Sequence, residues 1–289
     1  MSASKLWQNA LRRGGDWRYL TVCAVALLVP AAVAYVPLSS FFKSLFEFST
    51  RSNEIVAWLD SAAFTEVVRQ LGEPQAAGIG SGIVGAAIVV VIVAPLLAGA
   101  ALALAKETGP LDFRSLLGGA AELYLRMLRT SIASCIPLGV AAAGAALAFH
   151  FAHKSSDTAI VESTATRGHL FAILVSVVLF WLANVTVEAG RAHLGAEPER
   201  RSAFLAWWSG VRLLVRRPLP VLGLSLVTTL VGVGLAFVLT AVRLRIPQSG
   251  TASIALAFVF AQAAVAALAW GRASRLAGLV ALIKGEDAS

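Results

Sequence analysis

Sulfur and charge are what this sequence has least of. Cys23 and Cys135 are the only cysteines in 289 residues, and both lie in apolar stretches. They offer no CxxC pair, Cys/His cluster or disulfide framework, and read as small buried apolar side chains. Charged residues make up 14% of the chain, whereas soluble domains carry about 25%. No Ser/His/Asp, Cys/His or paired-carboxylate arrangement stands out. Gly78-Ile79-Gly80-Ser81-Gly82 lacks the lysine and strand context of a phosphate loop. No nucleic-acid motif accompanies the net charge of +8. These absences predict a protein that is not an enzyme, holds no cofactor and binds no nucleic acid.

What the sequence has in excess is apolar surface. Hydrophobic residues make up 58% and mean hydropathy is +0.77. That surface needs lipid, and a helical span needs roughly 20 apolar residues. Six stretches qualify: 20–36, 79–105, 130–149, 170–187, 218–242 and 252–271. The first has a basic start and an Ala32-Val33-Ala34 site like that of a secretory signal, but we read it as a retained span. The expected fold is all-α, one six-span membrane domain covering 1–289.

Basic residues orient the spans. They gather at the N-terminus (Lys5, Arg12, Arg13, Arg18), after span two (Lys106, Arg114, Arg126, Arg129), after span four (Arg191, Arg200, Arg201, Arg212, Arg216, Arg217) and at the C-terminus (Arg272, Arg275, Lys284). The opposite loops hold fewer. The positive-inside rule then predicts a multi-pass protein of a bacterial inner membrane with both termini cytoplasmic. No Lys, Arg, Asp or Glu falls inside a proposed span, with Glu188 at the edge of the fourth. Proton relays and voltage sensors keep charge at mid-bilayer, so this pattern argues against them. Asn184 and Gln262 are the most polar span residues and suit helix–helix hydrogen bonds.

Each odd span is preceded by a short segment with helical periodicity. In 112–129, Phe113, Leu116, Leu117, Ala120, Tyr124 and Met127 share a face, with Asp112 as N-cap. In 202–217, Phe204, Trp208, Val211 and Val215 do so, with Ser202 as cap and Pro218 as stop. At the N-terminus, Leu6, Trp7, Ala10 and Leu11 do so between Ser4 and Gly14-Gly15. These amphipathic elbows have basic outer faces suited to lipid headgroups or to a protein partner. Arg126, Arg129, Arg212 and Arg216 are the expected contacts. The even spans end on Gly99-Ala100-Ala101, Gly190-Arg191-Ala192 and Gly271-Arg272-Ala273, which suggests three elbow-linked helix pairs. Small residues at four-residue spacing, as in Gly78, Gly82 and Ala86, Gly139 and Ala143, and Gly232 and Ala236, predict close helix packing.

The two large outer loops hold the remaining candidates. Residues 53–71 read as an outer amphipathic helix through Ile55, Leu59, Val67 and Leu71. His150 and His153 would share a helix face near His169. Zinc needs three or four converging ligands, so span-end histidines are the plain reading and a weak metal or proton-sensing site the sharper one. Glu188-Ala189 followed by Gly195-Ala196 looks like the ATPase-contacting loop of importer permeases. In that family the glycine stands one residue earlier, and Leu219-Pro220 comes far too late. The order elbow, span, span, with endings such as Gly190-Arg191-Ala192, resembles the membrane domain of some glycerophosphodiester phosphodiesterases and stand-alone six-helix relatives. The resemblance covers most of the chain and implies a six-helix membrane fold. It carries no activity, since the catalytic domain of that family has no counterpart here. The expected role is non-catalytic, organising partners or engaging lipids; the alternative is a transporter or permease subunit for an uncharged or lipid-like substrate. Oligomeric state is open.

Overall fold

The computed structural model describes residues 10–46, 69, 77–107, 109, 112–157, 162–197, 202–246 and 250–286. The outer helix expected at 53–71 falls almost wholly outside them, as do Ser4, Leu6 and Trp7 of the first elbow. The chain is all-α, with no strand among the described residues. Its helices are α1 (Trp17–Phe46), α2 (Ala77–Lys106), α3 (Phe113–Ala133), α4 (Cys135–Asp157), α5 (Glu162–Ala196), α6 (Ala203–Arg216), α7 (Pro218–Leu244) and α8 (Thr251–Glu286). Among the described residues, six runs are long and apolar enough to cross a membrane: α1, α2, α3 continued by α4, α5, α7 and α8. Helices are the form such segments must take, because hydrocarbon offers backbone groups no other partner.

Two compact units divide the chain. The smaller is Val22–Ala94, and the larger is Met1–Thr21 with Pro95–Ser289. In the smaller unit α1 and α2 meet closely where Gly82 lies under the ring of Pro37 and Gly85 faces Val33. A side chain at Gly82 would collide with that ring. In the larger unit α4 packs along α5, α7 along α8, and α5 also meets α6 and α8. Ala236, Ala264 and Ala267 form the close α7–α8 seam, and Gly232 packs on Gly271. Gly139 differs from expectation. It is exposed, a Cβ added there would meet nothing within 4 Å, and Ala143 one turn on is exposed as well, so this pair faces outward.

Two of the elbows exist as helices that stop shortly before a proline. α3 passes to α4 through Ser134, three residues before Pro137. Proline there removes a backbone donor and crowds the carbonyl four residues back. α6 passes to α7 through Arg217, whose φ of −133° and ψ of 64° break the helix before Pro218. Asp112 and Ser202 cap these elbows as expected, accepting from Ser115 N at 3.0 Å and Leu205 N at 3.4 Å. At the first elbow, helical residues 10–14 turn at Gly15 into α1, where Asp16 accepts from Arg18 N at 2.9 Å.

The helices of the fourth and sixth spans are longer than their apolar runs. α5 continues past 187 to Ala196, and α8 past 271 to Glu286. Their 35 and 36 residues give about 50 Å of helix, against a hydrocarbon core of about 30 Å. The extensions are not solvated tails: 187–195 of α5 and 273–280 of α8 are buried throughout, as are 97–105 at the end of the apolar run of α2. Further along, apolar side chains such as Phe171, Leu174 and Val177 of α5 and Leu230, Phe237 and Val238 of α7 are exposed and face the lipid.

Candidate functional site: a buried charge cluster beneath the elbows

The buried helix extensions carry the charges that the sequence reading assigned to span edges and loops. Glu188 and Arg191 stand three apart on α5, Arg272 and Arg275 three apart on α8, so each pair shares a helix face. Glu188 is 2% exposed, Arg275 8% and Arg191 9%. One Glu188 carboxylate oxygen accepts from Nε of Arg275, and the other lies 3.6 Å from Nε of Arg272. Arg275 Nη1 donates to Thr229 Oγ1 of α7 at 2.6 Å. Arg191 Nη2 donates to Ser131 Oγ of α3 at 3.4 Å. The cluster therefore ties α3, α5, α7 and α8 at one point. A buried carboxylate needs this partnering, because ions removed from water lose several kcal/mol of solvation, of order 20 in the idealised limit. Ser225 and Thr228 on α7 and Ser274 on α8 are buried as well, so this end of the larger unit has a polar interior.

The elbows lie across the same extensions. α3 buries Leu116, Ala120, Leu123 and Met127, and Gly99 of α2 lets the Ala120 carbonyl approach. A Cβ at Gly99 would stand 2.8 Å from that oxygen. α6 buries Ala206, Gly210 and Leu213, and a Cβ at Gly210 would stand 2.5 Å from Gly190 N on α5. Gly14 at the first elbow packs in the same way on Trp270 and Ser274 of α8. Polar ties reinforce two of these crossings. Trp270 Nε1 donates to the Leu11 carbonyl at 3.1 Å, and Trp207 Nε1 to Thr186 Oγ1 at 3.2 Å.

Two elbow arginines hold helix ends. Arg13 Nη1 donates to the Ala105 carbonyl of α2 at 3.2 Å, and Arg126 Nη2 to the Glu197 carbonyl just past α5 at 3.3 Å. Cations at helix C-termini satisfy orphan carbonyls and oppose the helix dipole. Arg126, expected to face a headgroup or partner, is thus partly drawn inward. Arg129, Arg212 and Arg216 are exposed.

His150 and His153 lie on α4, both exposed, with the His150 ring edge-on to Phe151 at 5.9 Å. His169 is on α5. No three His, Cys, Asp or Glu residues among the described ones are placed to share a metal ion. Cys23 is buried, whereas Cys135 is exposed at the start of α4, so only one of the two cysteines packs as expected. An apolar groove of about 280 Å³ runs between α4, α5 and α6, lined by Pro137, Val140, Leu179, Leu182, Thr186 and Trp207 among others.

Sequence reasoning passed over Arg191, Arg272, Arg275 and Thr229 because it ended each span at its last apolar residue. The signal was present in the i,i+3 spacing of Glu188 with Arg191 and of Arg272 with Arg275, each pair including the arginine of a Gly-Arg-Ala run. The larger unit is that of a multi-pass membrane protein with a charged, buried interior at its elbow end. No protein-family model matches the chain, and no curated protein or solved structure is detectably similar to it.

Proposed function

We propose that this chain is a non-catalytic multi-pass protein of a bacterial inner membrane that engages anionic lipid through its cytoplasmic elbows. One observation carries the reading. The elbow helices bury one stripe against the span ends while their outer stripes mix exposed arginines with exposed apolar side chains. On α6 these are Arg212 and Arg216 beside Phe204, Leu205, Trp208 and Val215; on α3 they are Arg129 beside Phe113, Leu117 and Leu125. A helix with that outer face suits the headgroup layer, where rings and aliphatic stems sink and guanidiniums meet phosphates. The bias of basic residues toward the elbow side supports cytoplasmic termini. Three crossings built alike, each with a glycine under a neighbouring helix, support an origin by repetition of one elbow–span–span unit.

The test is lipid binding by protein reconstituted in phosphatidylcholine discs with and without phosphatidylglycerol. Arg212→Ser and Arg216→Ser should each weaken retention of phosphatidylglycerol about fivefold, at roughly 1 kcal/mol per basic residue near the surface. Unchanged retention in the double variant would sink the reading. A second reading, a transporter or permease subunit for a lipid-like substrate, is favoured by the apolar groove between α4, α5 and α6. It predicts that proteoliposomes move a fluorescent phospholipid between leaflets and that Ala183→Trp, in the groove lining, stops them.

A further inference from the structure

The buried cluster is not balanced. Among the described residues, Glu188 is the acid that faces Arg191, Arg272 and Arg275, one carboxylate against three guanidiniums. Arg275 is well provided for by Glu188 and Thr229. Arg191 is not. Its one hydrogen bond is the long contact to Ser131, its Nε is buried with no hydrogen-bond partner, and it lies within electrostatic reach of Arg272. Arg272 touches Glu188 only at 3.6 Å and is the member that reaches the surface, with 27% of its side chain exposed. Three guanidiniums around one carboxylate leave like charge in excess at a largely buried point, which costs free energy unless a further anion joins them.

We propose that Arg191 and Arg272 form a binding site for a phosphate group, entered past Arg272. Guanidiniums offer paired N–H donors in a fixed fork that matches phosphate oxygens, and an unused Nε at Arg191 completes one such fork. Basic pockets between membrane helices at headgroup depth suit a phospholipid headgroup, while a soluble phosphate ester presents the same oxygens. Glu188 sets the selectivity. It holds Arg275 in place and leaves a surplus of positive charge on the Arg191 side, enough for one anion. The site is separate from the elbow faces, so loss of Arg212 and Arg216 leaves it intact.

The experiment uses the full chain purified in a neutral detergent without phosphate. Thermal unfolding is followed as inorganic phosphate is added, with chloride at matched ionic strength as control. In parallel, protein released from phosphatidylcholine discs containing phosphatidylglycerol is weighed by native mass spectrometry. Saturable stabilisation by inorganic phosphate supports the site with a soluble ligand. Retention of phosphatidylglycerol that persists in Arg212→Ser/Arg216→Ser and falls in Arg272→Gln, without that stabilisation, supports it with a lipid headgroup. Arg272→Gln, partly exposed and therefore tolerated, should weaken either effect about tenfold or more, and Arg191→Gln should do the same where it folds. Arg212→Ser/Arg216→Ser should leave the phosphate response unchanged. If neither probe binds the wild-type chain, or if Arg272→Gln binds as wild type does, the proposal fails. A purely structural cluster would lower the unfolding temperature of Arg272→Gln equally with and without phosphate, and that result also overturns it.

Discussion

At the residue scale, Glu188 is the side chain on which most depends. It is almost fully buried and contacts guanidiniums of two neighbouring positions on α8. Glu188→Gln would leave Arg191, Arg272 and Arg275 without their counter-ion. Breaking a buried pair in this way costs about 3–5 kcal/mol, and thermal unfolding in detergent should show a correspondingly large loss. Glycines make a second residue-scale contrast. Gly210→Ala pushes a Cβ against the Gly190 nitrogen and the Thr186 carbonyl, both backbone atoms that cannot swing aside. It should cost about 1–3 kcal/mol as overpacking. Gly139→Ala, with open space around it, should change stability by less than about 0.5 kcal/mol. Unfolding measurements that ranked the two the other way would contradict the packing described for α6 on α5.

At the scale of the element, caps and prolines define where elbows begin and end. Asp112 starts α3 by accepting from Ser115, and those hydrogen bonds hold its carboxyl below its ordinary pKa. The sign follows from that depression. The folded chain keeps Asp112 ionised at pH values where the unfolded chain takes up a proton, so the cap stabilises above the ordinary carboxylate pKa. Its contribution falls as pH drops through the lowered value. Amide hydrogen exchange in the first turn of α3 should therefore accelerate as pH falls below about 4, relative to the intrinsic rate. Asp112→Asn keeps an acceptor at the cap and should flatten that dependence. The long helices teach a different lesson. α5 and α8 run past their apolar stretches because nothing there stops a helix, and neighbouring elbows bury what emerges.

At the scale of the whole molecule, the proposed orientation makes a firm prediction. In cells, a single cysteine placed at either terminus of a Cys23→Ala/Cys135→Ala chain should resist an impermeant maleimide until the inner membrane is opened. A cysteine replacing Ser155, beyond span three, should label at once. Labelling of a terminus in intact cells would overturn the cytoplasmic assignment. Whereas α3 runs on to Ala133, past the elbow end expected at 129, the position of the elbow at the start of α7 followed from periodicity and from Pro218, which are local signals. So did membrane class and number of spans, because the need to hide about 20 apolar residues from water acts on each segment alone.

The sequence by itself determined the all-α class, the six spans, the caps at Asp112 and Ser202 and the helix break before α7. Each is set by chemistry within a few residues. Only the tertiary structure decided that Glu188 meets Arg275 across 87 positions of chain, that Gly139 faces outward while Gly232 packs, and that Arg126 holds the end of α5. Periodicity tells which residues share a helix face but not what that face meets. Whether an arginine after a span is solvated or buried depends on whether another helix covers it, and elbows distant in sequence provide that cover.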